Sequence, residues 1–255
     1  MFPVIFQFGD FTVYTYGFFV AVGVLAAIFF ARYEAGRVGV DPDRIIDLCF
    51  YLVIAAILGS RLFFVALNLD YFMAAPLDIF KIWGGGLVFY GGFIAAFATA
   101  LALIQAYRLP LGKTADIAAL ALPLGHFLGR LGCFSAGCCY GDTCELPWAV
   151  SFAHPESLAP LHTPLHPTQL YSAAANLFIF LVLFAFRKRK RFDGQLLLFY
   201  LALYGVLRSI VEIFRGDDRG AHIFNIFSVS QVLGLSVAFF SIVVLVMIRR
   251  SMSKN

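Results

Sequence analysis

Charged side chains are scarce in this sequence: aspartate, glutamate, lysine and arginine together make up 13% of its 255 residues. Tryptophan occurs only twice, and no basic residue precedes Arg32. So few charges cannot cover the surface of an ordinary soluble protein, which excludes that class. The first apolar run has no basic residue before it and is longer than the apolar region of a signal peptide, so no cleavable signal peptide is predicted.

Hydrophobic residues are abundant instead, at 61% of the chain with a mean hydropathy of +0.86. A helix needs about 20 mostly apolar residues to cross a bilayer. On that basis the sequence predicts seven spans, at residues 13–31, 45–67, 84–107, 114–133, 166–186, 193–214 and 228–248. The runs are continuously apolar rather than alternating, so they predict an all-α polytopic membrane protein and not a β-barrel.

Lysine and arginine are distributed unevenly between the loops. Thirteen follow the odd-numbered spans, whereas only three follow the even-numbered ones: Lys81, Arg215 and Arg219. Short cytoplasmic loops are enriched in basic residues, which predicts an outside N-terminus and a cytoplasmic C-terminus. The basic run at 187–191 then reflects topology and anionic lipid heads, and no nucleic-acid partner is predicted. Residues 1–255 would form one membrane domain with an outer-face loop at about 134–165.

Three arginines lie within the apolar runs: Arg61, Arg130 and Arg208. A charge in hydrocarbon is costly, so each marks a hypothetical functional site. Arg208 and Glu212 are four residues apart and share a helix face, which Arg215 extends by one turn. One interpretation is a structural ion pair that holds helices in register. The other is that Arg130 and Arg208 converge on a phosphodiester, and membrane phospholipids are the most available source of one.

Glycines accompany these charges. Gly91 and Gly92 fall in the first turns of the third span, and Gly129 and Gly141 lie on the fourth span and just beyond it. Small residues let a backbone approach another backbone or a ligand closely. Beside the two arginines, they favour a cleft that is open to lipid.

The chain resembles the prolipoprotein diacylglyceryl transferase family over nearly its whole length. That family's signature reads Gly-Arg-x-x-Asn-Phe-x-Asn-x-Glu-x-x-Gly, and "GRLGCFSAGCCYG" matches it at four positions: Gly129, Arg130, Phe134 and Gly141. Other stretches resemble further family motifs in the expected order: "YGFFVAVG" (16–23), "GSRLFFV" (59–65), "HPTQLY" (166–171), "YGVLRSIVEIFR" (204–215) and "SVSQVLGLS" (228–236).

The resemblance implies a bacterial inner-membrane enzyme whose active site faces outward. Its reaction would transfer the diacylglyceryl group of phosphatidylglycerol to the lipobox cysteine thiol of a preprolipoprotein signal peptide, the first step of lipoprotein maturation. The implied catalytic residues are Arg130, Arg208, Glu212, Tyr90 and His166. The implied substrate-binding residues are Tyr16, Arg130, Gly129, Gly141, Gly91, Gly92, Arg61, Arg215, Asp116, Cys133 and Cys138. No cofactor and no metal are predicted.

Several positions depart from the family pattern. Tyr90 stands where the family has the histidine of a His-Gly-Gly motif, and a phenol is a poor general base at neutral pH. Cys133 and Cys138 stand where the family keeps an asparagine and a glutamate. His166 and Asp116 are the substitutes that the sequence offers for the base.

Four of the five cysteines are close in sequence, at 133, 138, 139 and 144. On an outer face, the preferred interpretation is a disulfide that rigidifies the loop. Three alternatives stay open: reduced thiols that only pack, metal binding despite a spacing unlike standard zinc sites, and thiol exchange with the substrate cysteine.

Alternative functions also stay open. One is a paralogue that moves another lipid group or uses another acceptor. A second is a membrane thiol–disulfide oxidoreductase that uses these cysteines with a quinone. A third is a non-enzymatic lipid-binding or transport protein, which the lack of an inverted repeat disfavours.

Overall fold

The structure, a computed structural model, describes residues 2–8, 11–81, 85–217, 222–223 and 227–252. Within these ranges it has eight α-helices: α1 (Thr15–Val38), α2 (Pro42–Leu67), α3 (Leu69–Ala74), α4 (Phe89–Ala106), α5 (Leu111–Ala136), α6 (Thr168–Phe186), α7 (Gln195–Glu212) and α8 (Val229–Met252). A 3₁₀ helix covers Pro76–Phe80. Three antiparallel pairs join β1 (Val4–Phe8) to β2 (Phe11–Tyr14), β3 (Val150–Ser151) to β4 (Pro164–Leu165), and β5 (His222–Ile223) to β6 (Phe227–Ser228).

Seven of these helices, all except α3, are long and apolar enough to cross a membrane, which confirms the predicted seven-span architecture. Large apolar side chains such as Phe29, Phe93, Leu181 and Phe239 are more than half exposed along the helices. Such faces would be unfavourable in water, but in a bilayer they contact lipid. The orientation inferred from the loop charges stays a prediction, and two residues used for it, Arg219 and Lys254, lie outside the described residues.

The helices differ from the predicted spans at their ends. α1 continues seven residues past residue 31, because an apolar run marks only the lipid-facing part of a helix, and it stops before Gly39, where φ is +73°. α4 begins five residues later than predicted, since Gly85 and Gly86 have φ values of +85° and +71°, which a right-handed helix cannot contain. Gly84, where the span was predicted to start, lies outside the described residues.

The chain divides into two compact units, and the smaller one comprises Ala31–Thr114. Within it, α2 and α4 cross closely at glycines. A Cβ atom on Gly91 would lie 2.4 Å from the carbonyl oxygen of Gly59, and one on Gly92 would lie 2.3 Å from Oγ of Ser60. The crossing therefore requires the small residues at 91 and 92.

The larger unit comprises Met1–Phe30 and Ala115–Asn255. Within it, α1 approaches α5, and α7 approaches α8, again through glycines: a Cβ on Gly23 would lie 2.7 Å from the Gly125 oxygen, and one on Gly205 would lie 2.2 Å from the Gly234 oxygen. α5, α6 and α7 share a buried apolar cluster formed by Ala119, Leu120, Ile179, Leu183 and Leu196. This core fixes the three helices that carry the polar residues described below.

A non-helical segment, residues 137–167, connects α5 to α6. It begins at Gly137, whose φ of +75° ends α5. Val150 pairs with Leu165 in the β3–β4 ladder, and Phe152, Ala159 and Leu165 form a small core of their own. The segment is therefore a folded part of the larger unit.

Candidate active site

Helices α5, α6 and α7 of the larger unit enclose a small cavity. Its polar lining residues are His126 and Arg130 of α5, Ser172 and Asn176 of α6, and Tyr204 and Arg208 of α7. Arg130 and Arg208, which the sequence analysis expected to converge, thus line the same cavity. Apolar side chains complete the wall, and a low-dielectric wall strengthens the attraction between a guanidinium and an anion.

The Arg130 guanidinium is held by His126, one turn earlier on α5. Nε of Arg130 donates to Nε2 of His126 at 3.1 Å, so this ring nitrogen is an acceptor and the imidazole is neutral. The ring of His126 lies against Tyr204, with 5.8 Å between the centroids. Because the bond occupies only Nε, the two Nη groups of Arg130 supply four further donors for an anion.

Glu212 organises the polar groups at the end of α7. One carboxylate oxygen pairs with Arg208, and the other accepts hydrogen bonds from the hydroxyl groups of Ser228, at 3.0 Å, and Ser230. The carboxylate also lies 3.9 Å from Nε of Arg215. The predicted Arg208–Glu212 pair therefore exists, and the same arginine also lines the cavity, so a structural role and a binding role are compatible.

Backbone pairing brings Gly141, His166 and Arg215 together. The Gly141 N–H donates to the His166 carbonyl at 3.0 Å, and Gly141 pairs on its other side with Arg215 in an antiparallel bridge. Asp142 extends both pairings, since its N–H donates to the Phe214 carbonyl at 3.0 Å and its carbonyl accepts from the His166 N–H at 2.9 Å. A Cβ on Gly141 would lie 2.5 Å from the Phe214 oxygen and 2.6 Å from Cβ of His166, so only glycine fits between them.

The His166 side chain makes contacts that suit proton transfer. Its Nδ1 lies 3.1 Å from the hydroxyl of Tyr171, and its ring packs against Phe214 with 5.2 Å between the centroids. In the tautomer whose Nδ1–H donates to Tyr171, Nε2 carries a free lone pair, as a general base requires.

Three thiols meet at the end of α5. The Sγ atoms of Cys133, Cys138 and Cys139 all lie within 4.8 Å of one another. All five cysteines are free thiols, so the disulfide that the sequence analysis preferred is not formed. Hydrogen bonds from the thiols of Cys133 and Cys138, together with the Arg215 guanidinium, hold the pKa of the Cys139 thiol well below its usual range.

α1 places Tyr16 next to this thiol cluster. The three thiols and the Arg130 guanidinium are all close enough for their charges to act on the Tyr16 phenol. The close approach depends on Gly132, because a Cβ there would lie 3.1 Å from the Tyr16 carbonyl oxygen. A Cβ on Gly129 would meet nothing within 4 Å, so this predicted binding residue borders open space beside Arg130.

Asp116 lies elsewhere on α5, fourteen residues or roughly 21 Å along the helix axis from Arg130. Its Oδ1 accepts from the N–H of Leu196 at 2.8 Å, and its Oδ2 accepts from Nζ of Lys190 at 2.7 Å and from the N–H of Gly194 at 3.0 Å. These bonds cap the start of α7. The structure thus does not bring Asp116 to the cavity, although the sequence analysis included it among the binding residues.

Four predicted site residues belong to the smaller unit: Arg61, Tyr90, Gly91 and Gly92. Arg61 is 7% exposed, and its guanidinium donates to the carbonyls of Ile79 at 2.9 Å and Gly85 at 3.0 Å. It therefore ties both the 3₁₀ helix and Gly85 to α2. Tyr90 is 61% exposed on the first turn of α4, and Gly91 and Gly92 are buried in the α2–α4 crossing.

The polar residues that hold the arginine and the thiols were not among those that the sequence predicted. One of them is His126, which the spacing of four residues places on the same helix face as Arg130. Thr168 and Gln169 within "HPTQLY" are two more, and no local pattern indicated a role for them. Both are fully buried; Oγ1 of Thr168 donates to the Cys139 carbonyl at 2.8 Å, and Nε2 of Gln169 donates to the Cys138 carbonyl at 2.9 Å.

Fold and site together define a multi-span membrane protein that has a guanidinium-lined polar cavity between its helices. The family model described as prolipoprotein diacylglyceryl transferase matches residues 3–247. The phosphatidylglycerol–prolipoprotein diacylglyceryl transferase of Geobacter sulfurreducens is 34% identical over 253 residues, which are 97% of this chain and 95% of that protein. The protein of the same name from Clostridium tetani is 32% identical over 233 residues, which cover 91% of this chain and 92% of that protein. The chain belongs to the prolipoprotein diacylglyceryl transferase family, which confirms the resemblance.

Proposed function

We propose that this protein transfers the diacylglyceryl group of phosphatidylglycerol to the lipobox cysteine thiol of preprolipoproteins. Family membership supports the reaction class, and the names of the relatives supply the donor and the acceptor. One observation carries the proposal for this chain: Arg130 and Arg208 come from different helices and line one cavity within the spans. Two guanidiniums in such a place match the phosphodiester of a phospholipid headgroup.

In the proposed reaction, the substrate thiolate attacks the carbon of the diacylglyceryl group that is bonded to the phosphate oxygen. A carbon–sulfur bond forms, the carbon–oxygen bond to the phosphate breaks, and glycerol phosphate leaves with the electron pair. The leaving phosphate gains negative charge, and Arg130 and Arg208 stabilise that charge in the transition state. Glu212 orients Arg208 and Arg215 through its ion pairs.

The thiol proton needs an acceptor, and we assign this role to His166. Its Nδ1 contact with Tyr171 orients the ring, and the Gly141 pairing fixes its backbone. Tyr90, at the position of the family's histidine, would keep a hydrogen-bonding role, because a phenol is a poor base at neutral pH. We also propose that the N-terminus and the 137–167 segment lie on the outer side of the bacterial inner membrane, as the excess of basic residues in the other loops favours.

Complementation of a conditional strain depleted of its own transferase tests the proposal, with mass spectrometry of a reporter prolipoprotein as the readout. The unaltered chain should restore growth and add one diacylglyceryl group per reporter. Arg130→Ala and Arg208→Ala should each lower the transfer rate by at least about 100-fold. Arg32→Ala, at a half-exposed arginine of α1, is the matched control and should retain activity. An inserted, well-expressed chain that leaves the reporter unmodified would contradict the proposal.

The cysteine cluster favours one rival function, a thiol–disulfide oxidoreductase that uses a quinone. Replacing Cys133, Cys138 and Cys139 together by serine would abolish such an activity but leave lipid transfer partly intact. Arg208→Ala would have the reverse effect. Assaying both variants for lipid transfer and for quinone-dependent thiol oxidation therefore separates the two functions.

A further inference from the structure

The three-thiol cluster defined by Cys133, Cys138 and Cys139 has a geometry that its sequence spacing did not predict. A metal ion with metal–sulfur bonds of about 2.3 Å and tetrahedral angles holds its sulfur ligands roughly 3.8 Å apart. The three Sγ atoms already lie within 4.8 Å of one another, so small side-chain rotations bring them to that separation. Since no pair among them is bonded, all three sulfur atoms are available as ligands.

The backbone around the cluster is held in an unfavourable conformation. Gly137 and Cys139 have φ values of +75° and +59°, and for a residue with a side chain, such as Cys139, the left-handed region costs about 1–2 kcal/mol. This conformation turns the chain back after α5, so that Cys138 and Cys139 face Cys133 on the last turn of the helix. Strain at a non-glycine residue is typical of functional sites.

Two buried side chains of α6 stabilise the turn that follows α5 by hydrogen bonds to its backbone. Thr168 and Gln169, both fully buried, donate to the carbonyls of Cys139 and Cys138 at 2.8 and 2.9 Å. Cys133, Cys138 and Cys139 are themselves only partly buried residues, so the cluster borders accessible surface. Rigid support behind accessible ligand atoms is the arrangement that metal sites use to orient their ligands.

Charge also fits a cation bound by thiolates. Three thiolates and one divalent ion carry a net charge of minus one, which nearby positive charge must offset. The Arg215 guanidinium, which also pairs with Asp217, acts electrostatically on Cys139, and the Arg130 guanidinium acts electrostatically on Cys133. Thiolates prefer soft or borderline cations such as Zn²⁺ over Mg²⁺ or Ca²⁺.

We propose that Cys133, Cys138 and Cys139 bind one thiophilic divalent metal ion of the Zn²⁺ class. The ion forms three metal–sulfur bonds, and any thiol protons are released to solvent. The fourth position of a tetrahedral ion stays open toward a further ligand. The site would lie beside Tyr16 and Arg130, and it would lock the segment that follows α5.

Titration of the purified, reduced, full-length protein in detergent with Cd²⁺, a spectroscopic substitute for Zn²⁺, tests the site. We expect the ultraviolet thiolate-to-metal absorption to saturate at one Cd²⁺ per chain and to disappear when excess EDTA removes the ion. Cys138→Ala should weaken binding by at least about 100-fold, because it removes a ligand. Cys49→Ala, at the partly buried cysteine of α2, is the control and should bind normally.

Three results would overturn the proposal: no stoichiometric binding by folded protein, unchanged binding after all three cysteines are replaced by serine, or a disulfide among the three in the protein as isolated. Thermal unfolding and size-exclusion profiles establish that each variant is folded. Since the readout is metal binding alone, failure here is distinguishable from failure of the proposed lipid transfer.

Discussion

Arg130 illustrates how a single bond determines what a charged side chain can do. Lysine would carry the same charge, but only a guanidinium can donate through Nε to His126 and still present two Nη groups to an anion. The partner must also be an acceptor, which the neutral imidazole is. His126 is therefore a positioning residue for Arg130 in the proposed reaction.

Replacing His126 tests this dependence. His126→Leu removes the acceptor, and the loss of a hydrogen bond to a charged group, about 1.5–3 kcal/mol, should lower kcat/KM by about 10- to 100-fold. His126→Gln keeps an acceptor oxygen and should restore most of the activity. Steady-state kinetics with phosphatidylglycerol in mixed micelles measures both.

A purely structural role for His126 would lower thermal stability equally in both variants, without rescue by glutamine. Equal kinetics for His126→Leu and the unaltered protein would contradict the positioning role. His162→Asn is the matched control, because His162 is exposed in the 137–167 segment and asparagine accepts its φ of +56°.

At the level of elements, residues 140–142 join two other segments of the larger unit. This short stretch pairs with His166 on one side and with residues 214–216 on the other. The pairing carries His166 and Arg215, which are far apart in sequence, to the same place. It depends on Gly141, because any side chain there would meet two backbones at once.

Gly141→Ala should accordingly destabilise the protein by about 1–3 kcal/mol, since a methyl group cannot be accommodated without shifting the neighbouring segments. Gly129→Ala is the matched substitution on α5, where the added methyl group meets nothing within 4 Å, and it should leave stability unchanged or slightly raised. Thermal unfolding in detergent compares the two. Unfolding temperatures that fall equally in both variants would contradict the packing argument.

For the whole molecule, the distribution of basic residues predicts how the seven helices are inserted. Thirteen basic residues follow the odd-numbered spans, against three after the even-numbered ones. Helix length and hydropathy establish that the helices can cross a bilayer. Neither property changes when a helix is inserted in the opposite direction, so neither predicts the orientation. Orientation is thus decided by the loops.

Reporter fusions test this orientation. Alkaline phosphatase fused after residue 160 should be active, because its disulfides form outside the cytoplasm. The same reporter fused after residue 109, between α4 and α5, should be inactive, and a fluorescent protein fused after residue 252 should fluoresce in the cytoplasm. The opposite pattern would reverse the orientation and place the proposed site on the cytoplasmic side.

Hydropathy and ordered motifs are local properties of the chain, so the seven spans and the family could be predicted without a structure. The sequence also identified Arg130, Arg208 and Glu212, since a charge in an apolar run needs a partner or a ligand. Which distant residues meet depends on how the helices and loops pack, and this became visible only in the folded chain. Asp116 caps α7, and Arg61 binds backbone carbonyls. The hydrogen-bond partners of both side chains come from other segments, which no local sequence pattern specifies. The three thiols converge for the same reason: a left-handed turn after α5, supported by Thr168 and Gln169, folds the chain back on itself.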